Sequence, residues 1–375
     1  MDIKVITRHS PSNYGSVLQA LATIKIIEKL GHKCTIIDYV REDEKGIKSV
    51  LTALKSKKEW GNSLIKRILY IILRYPEELI AQIRFNKIRN KYLHLTRRYK
   101  TSKDLSTLQA DIFMTGSDQV WGPTINGKYD ENYFLSFVVN KPKIAYAASF
   151  GRTEFTESTL KEYQQLLSQY DKIAVREDSA LEILNRMNIE SLGQVLDPTL
   201  LLTADEWSSF INCNIKKKYV LIYQLHNDPR LGEYAKRFAE YVNLPLFRIS
   251  PTFHQITRPG KFIYLPQIED FLSYIKNCTY LITDSFHGTA FALNFNIQFI
   301  EILPNNKTGS RNLSILKLTK LENRIITDFN DLSISQQKID YSSVKHILKT
   351  EREKSIKILN TLCSLNQNHE NSTIQ

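Results

Sequence analysis

The chain has 375 residues, more than one hydrophobic core usually organises, so two domains are the default expectation. Its 42% hydrophobic and 10% aromatic content excludes a disordered chain, and no apolar run approaches the roughly 20 residues needed to cross a bilayer. The formal charge is +12, and residues 41–100 hold 16 Lys and Arg against six Asp and Glu, an excess of ten in that segment alone.

In chain order, "IKVIT" reads as a strand and "RHSPSNYG" as a polar loop, without the basic-then-apolar layout of a secretory signal, so a cytoplasmic location is expected. "SVLQALATIKIIEKL" follows as a helix with Val17, Leu18, Leu21, Ile24, Ile27 and Leu30 on one face, closed by Gly31, and "CTIIDYV" as a second strand. Such a βαβ unit implies a parallel sheet with a right-handed crossover. Residues 41–100 form a basic helical insertion. There "LIKRILYIIL" and "LIAQIRF" mix with Lys and Arg, the pattern of an amphipathic helix on an anionic membrane surface or of the solvated face of a helical hairpin. Strand "ADIFMT", loop "GSDQVWGPTINGKYDENY", strand "KIAYAASF", helix "TESTLKEYQQLLSQY", strand "KIAVR", helix "EDSALEILNRM" and strand "QVLD" complete a first Rossmann-like domain over 1–205.

Turn and charge signals place the domain boundary near 202–217. A second Rossmann-like domain, 216–335, opens with strand "YVLIYQL" and continues through helix "RLGEYAKRFAEYV", strand "LPLFRIS", helix "IEDFLSYIKNC", strand "YLIT" and strand "QFIEI". A last helix, 340–365, is expected to pack back on the first domain, and the polar tail 366–375 to be disordered. Cysteines 34, 213, 278 and 363 have neither disulfide nor zinc spacing and read as buried or inert thiols. The fold class is α/β, two Rossmann-like domains facing a cleft lined by loops at the carboxyl ends of both sheets.

The polar clusters fall in such loops. In "SPSNYGSVLQ", Asn13, Tyr14 and Gly15 follow the first strand and Ser16 can cap the helix, so free N–H groups would favour an anion; a plain turn with a capping serine is the competing reading. In "MTGSDQVWGP", Gly116 permits a tight exit while Ser117, Asp118 and Gln119 crowd against Trp121. That suits a group that orients sugar hydroxyls or takes a proton, or else an Asx-turn with a packed Trp. Arg176 in "KIAVRED" ends a buried strand and needs an anion, either Glu177 or Asp178 or a ligand; Asp197 in "LDPTLLL" reads as a turn-former before Pro198. In "TDSFHGTAFALNFN", Asp284 and Ser285 suit helix capping, and Gly288 and Ala290 are small enough for a ligand to approach. His287 is then exposed near a helix N-terminus, poised for acid/base work, although a lone histidine in a turn is more often structural.

Taken together and in order, "NYGSVLQALATIKIIEKLGH", "GSDQVWGP", "YFLSF", "KIAYAASFG", "VREDSALEIL", "LDPTLLLTADEW" and "TDSFHGTAFALNFNIQFI" closely resemble the polysaccharide pyruvyl transferase family over about residues 10–325. The resemblance implies a GT-B-like fold and transfer of a pyruvyl group from phosphoenolpyruvate to a sugar, building a cyclic ketal across two hydroxyls of a capsule or exopolysaccharide unit. It implies His287 as proton shuttle, Arg176 as holder of the donor's carboxylate or phosphate, and helix N-termini at Asn13 to Ser16 and at Gly288 to Thr289 sharing that charge. Asp118 and Gln119, beside Ser117, would orient the acceptor. No cofactor, redox centre or obligatory metal is needed, the donor being a substrate. The chain departs from several relatives in reading Ser285-Phe286-His287-Gly288 where they read Arg-Leu-His-Gly; Arg311 or Lys307 would then supply the missing cation.

If the acceptor is carried on a lipid diphosphate, the basic segment would hold the enzyme at the inner face of the cytoplasmic membrane, a peripheral contact. A sugar-nucleotide glycosyltransferase of the same architecture is the alternative, since fold does not fix function. Nucleic-acid binding by the basic segment is the distant one and is not expected: no nucleic-acid motif is present and the stretch carries long aliphatic runs.

Overall fold

The computed structural model describes residues 1–364 apart from 56, 125–126, 213–214 and 305–308, so Cys213, Lys307 and the polar tail lie outside the described residues. The chain divides into two units, Met1–Pro198 with Lys354–Gln375, and Thr199–Glu353.

The first unit runs β1 (Asp2–Ile6), α1 (Tyr14–Lys29), β2 (Lys33–Ile36), α2 (Ile47–Lys55), α3 (Lys58–Gly61), α4 (Leu64–Tyr92), α5 (Ser102–Leu105), β3 (Ile112–Thr115), β4 (Lys143–Ala148), α6 (Glu157–Leu167), β5 (Lys172–Val175) and α7 (Asp178–Arg186). Its sheet has the order β2-β1-β3-β4-β5 with every neighbouring pair parallel. Strands covered by helices on both faces must be buried throughout, and every residue of β3 and β4 is. The basic insertion comprises α2, α3 and α4, with a small core of its own from Val50, Leu54 and Tyr70 backed by Trp60, Ile71 and Tyr75.

The second unit runs α8 (Pro198–Leu201, its first residue in the other unit), α9 (Ala204–Ser208), β6 (Val220–Tyr223), α10 (Pro229–Tyr241), β7 (Leu246–Ser250), β8 (Lys261–Tyr264), α11 (Ile268–Asn277), β9 (Tyr280–Thr283), α12 (Phe286–Phe295), β10 (Gln298–Glu301), α13 (Ser310–Thr319) and the start of α14 (Tyr341–Cys363). The sheet order is β10-β9-β6-β7-β8, again all parallel.

The division falls at Pro198, ahead of the 202–217 stretch where turn and charge signals placed it. Thr199 O accepts from Trp207 Nε1 (2.9 Å) and Asn294 Nδ2 (2.8 Å), and Leu200 O from Arg352 Nε (2.6 Å), so 199 and 200 are tied to the second unit before the polar stretch begins. The last turns of α14 belong to the first unit, where Ser355 Oγ accepts from Leu196 N (2.9 Å) and Leu359, Leu362 and Cys363 are buried. With Leu196 N bonded to a side chain, "QVLD" makes a single bridge, Val175 with Gln194, rather than the expected strand. Cys34, Cys278 and Cys363 are free and buried, and burial raises each thiol's pKa, that of Cys363 to about 12. No helix among the described residues is long and apolar enough to cross a membrane.

In a doubly wound parallel sheet, ligands bind beyond the carboxyl ends of the strands where the strand order reverses. That switch point lies between β1 and β3 in the first unit and between β6 and β9 in the second.

Candidate active site

At the first switch point the loops after β1 and β3 meet because Gly116 lacks a side chain: a Cβ there would sit 2.9 Å from Val5 Cγ1 and 3.2 Å from Thr7 Cβ. Asp118 follows in the left-handed region (φ 75°), an uncommon conformation for a residue with a Cβ and the kind of local strain that concentrates at functional sites. Its Oδ2 accepts from Ser16 Oγ (3.3 Å) and its Oδ1 from Gln119 N (2.9 Å). Val120 N donates instead to the Asp118 backbone oxygen (2.8 Å), so the loop turns tightly at Asp118 through its own backbone. Trp121 is fully buried against Phe150 (5.1 Å) and Phe134 (5.9 Å), so it is no stacking face for a sugar.

Arg176, 4% exposed, donates from Nη1 to Asp197 Oδ2 (2.9 Å) and Ser117 Oγ (3.3 Å). Its Nε lies 3.5 Å from Glu177 Oε2 and its Nη2 3.9 Å from Asp118 Oδ1. Ser117 Oγ donates to Asp197 Oδ2 (2.7 Å) and Ser149 Oγ to Glu177 Oε1 (2.6 Å). Burial alone would lower the guanidinium's pKa, but Asp197, Glu177 and Asp118 outweigh it and hold the charge. Arg176 is thus engaged by carboxylates of its own unit, and Asp197 is its principal partner rather than a turn-former. Arg8 stands nearby, donating to Glu44 Oε1 (2.9 Å) and Gln119 Oε1 (3.4 Å).

Ser16 lies within α1 rather than at its cap. Asn13 is the N-cap, its Oδ1 accepting from Gly15 N (2.8 Å), so it satisfies one of the N–H groups expected to meet an anion. Tyr14 and Gly15 are buried, and the Tyr14 ring packs on Phe85 of α4 (5.0 Å), which makes Tyr14 a core residue.

At the second switch point Asp284 ties the loops after β6 and β9 together, accepting from Leu225 N (2.7 Å) and His226 N (2.8 Å), with His226 Nδ1 3.3 Å from the same carboxylate. Ser285 is the N-cap of α12 and accepts from Gly288 N (3.3 Å). His287, in the first turn, is 4% exposed and edge-on to Phe286 (5.2 Å), which corrects the expectation of an exposed ring. A Cβ on Gly288 would lie 3.2 Å from Thr283 Cβ, so this glycine serves helix packing on β9 rather than close approach of a ligand. Thr289 is equally internal: its hydroxyl contacts Ser285 O (3.2 Å) and Glu301 Oε2.

Glu301, at the end of β10, is fully buried and accepts from Asn312 Nδ2 (2.6 Å). Burial raises its carboxyl pKa to about 8, with nearby Asp284 adding to the rise against the Thr289 and Asn312 hydrogen bonds. A neutral carboxyl satisfies every partner: it donates to Thr289, which donates to Ser285 O, and it accepts from Asn312. Arg311, half-buried, precedes Asn312 in the first turn of α13.

Sequence reasoning missed two cations of this unit, Arg248 and Arg258. Arg248 in β7 is fully buried and donates only to neutral oxygens, Pro259 O (2.9 Å), Gln224 Oε1 (2.9 Å) and Gln255 Oε1 (3.2 Å); its Nη2 has no hydrogen-bond partner among the described residues. Arg258 Nη1 reaches the same Gln224 oxygen (3.5 Å). Burial, then repulsion from Arg258, pushes the Arg248 pKa down to about 10, against attraction from Asp284. Two guanidinium groups therefore lie around one amide oxygen at the mouth of β6. His226, 30% exposed in its side chain and held by Asp284, was also overlooked, although "YQLHNDP" directly follows a buried strand.

Comparison with known structures agrees with the two-unit architecture. A protein assigned as a UDP-N-acetylglucosamine 2-epimerase from Listeria monocytogenes is similar at 12% identity and a TM-score of 0.54, covering 98% of this chain and 97% of that one. The MnaA–UDP structure from S. aureus is similar at 12% identity and a TM-score of 0.53, with the same coverage. These likenesses establish the fold, two Rossmann-like domains of GT-B type. No curated protein matches the chain. The model of the family described as polysaccharide pyruvyl transferase matches residues 13–306, most of the length. The chain belongs to the polysaccharide pyruvyl transferase family and is a transferase.

Proposed function

We propose that the protein transfers a pyruvyl group from phosphoenolpyruvate to two hydroxyls of one sugar, in the assembly of a capsule, exopolysaccharide or other cell-surface glycan. The observation that carries this reading is family membership over 13–306 together with a histidine at the switch point of the second unit. In the first step His287 delivers a proton to the methylene carbon of the donor, leaving a cationic centre at C2. A sugar hydroxyl attacks C2, the C2–O bond to the phosphate breaks and phosphate leaves with its oxygen, and the second hydroxyl closes the ketal; each hydroxyl gives up one proton, one re-protonating His287 and the other leaving with the phosphate. The low exposure of His287 favours this chemistry, because water that would capture the cationic centre is kept away.

Charge assigns the remaining roles. Ser285 carries no charge, and Arg258 beside Arg248 has the cationic character that position lacks, so these two arginines receive the donor's phosphate or carboxylate. Arg311 is a further candidate for that charge. Asp118, fixed by Ser16 and Arg176, orients the acceptor with Gln119. An acceptor carried on a lipid diphosphate would put the reaction at the inner face of the cytoplasmic membrane, with the enzyme bound peripherally. Incubation with phosphoenolpyruvate and candidate glycans tests the reading: phosphate release should match ketal formed. Nucleotide release from a sugar nucleotide, without phosphate from phosphoenolpyruvate, would establish the glycosyltransferase alternative instead.

A further inference from the structure

We propose that α4 docks the protein on a membrane surface of anionic lipid, inserting an apolar stripe between basic side chains. Of the 16 large hydrophobic side chains exposed among the described residues, nine lie on this one helix. Leu64, Ile65, Ile68, Leu69, Ile72 and Leu73 are 46–79% exposed and recur at the three- and four-residue spacing of one helical face, over about 15 Å of axis. The stripe continues to Ile83. A contiguous apolar face of this length is uncommon on a monomeric soluble protein and marks a binding surface.

The helix has a second, opposite face that holds it to the first unit. Tyr70, Ala81, Phe85, Ile88 and Arg89 are buried; Phe85 packs on Tyr14, and Arg89 Nη1 donates to Ser10 O (2.8 Å). The buried stripe therefore accounts for folding and leaves the exposed one unexplained. It also ties α4 to the loop after β1, so a docked helix holds that loop near the lipid surface.

Charge selects the occupant. Lys66 and Arg67 are exposed in the first turn of α4, Lys48 and Lys55 on α2, and Lys87 and Lys91 further along α4, in a segment with an excess of ten positive charges. A second copy of the chain would present the same patch to itself, like charge facing like. Anionic headgroups complement the basic side chains while the acyl boundary takes the leucines and isoleucines, the two-signal arrangement of interfacial helices.

The proposal rests on the helix alone, and its test needs neither donor nor acceptor. The full chain is floated with vesicles of phosphatidylcholine, and with vesicles in which phosphatidylglycerol replaces a third of it. Binding is expected only to the second, reversed by high salt. Replacing Lys66 and Arg67 by Gln should weaken partitioning about 30-fold, at about 1 kcal/mol per basic residue. Ile65→Glu with Ile72→Glu should abolish it while circular dichroism stays unchanged, since both side chains are exposed. Failure to float with anionic vesicles overturns the proposal, as does a dimer by light scattering that the Ile65→Glu, Ile72→Glu variant dissociates. Ketal formation on a water-soluble glycan is measured separately, so loss of docking and loss of catalysis remain distinguishable.

Discussion

Glu301→Gln isolates the carboxyl that braces the first turn of α12. In the folded chain burial raises its pKa from an ordinary 4.5 to about 8, so the folded state keeps a proton that the unfolded chain releases. A raised carboxyl favours folding fully below pH 4.5 and loses that advantage as pH climbs through about 8, at about 1.4 kcal/mol per pH unit within the window. From about pH 5.5 to about pH 7.5 the wild type should therefore lose up to about 3 kcal/mol from this group. Glutamine keeps the neutral form's pattern, accepting from Asn312 and donating to Thr289, so the variant should show a flat profile and exceed the wild type at the upper pH. Urea unfolding at several pH values, with amide exchange of α12 reporting on the second unit, measures it. Parallel profiles, or a variant less stable at neutral pH, would show that Glu301 is ionised and refute the neutral network.

Two further substitutions probe the charged groups. Arg176→Met leaves Asp118, Glu177 and Asp197 buried without their shared cation and should cost about 3–5 kcal/mol, partly recovered by adding Asp197→Asn; a urea midpoint close to wild type would show that the arginine does not hold this network. Arg258→Gln should raise KM for phosphoenolpyruvate by roughly 10–100-fold with kcat and Tm little changed, the loss of one charge-assisted hydrogen bond. An unchanged KM would move donor binding elsewhere, with Arg311 the next substitution to make.

Local pattern made the elements legible, and long-range pairing hid much of the site. The run from Asp2 to Ile36 is readable because strand, capped helix and glycine stop each leave a signature a few residues long. Ser16 misleads for the same reason: both it and Asn13 are good caps, and only its contact with Asp118, 102 residues away, shows it inside the helix. Asp197 sits before a proline and so mimics a turn, while its partner Arg176 lies 21 residues back across the edge of a sheet. Hydrophobic periodicity found α4 as an amphipathic helix, yet only burial shows that it carries two apolar faces, one of them uncovered. His287 was found through its neighbours in sequence, but its burial follows from the packing of α12, whose residues are all buried.

Stoichiometric phosphate release and ketal formation from phosphoenolpyruvate, compared between wild type, His287→Ala and His226→Ala, test the central claim most directly. Proton transfer by His287 predicts that His287→Ala loses turnover by at least about 100-fold, with the fold intact, while His226→Ala retains most of it. Full activity in His287→Ala would contradict the assignment, and loss of activity in His226→Ala alone would transfer the acid/base role to the histidine that Asp284 holds.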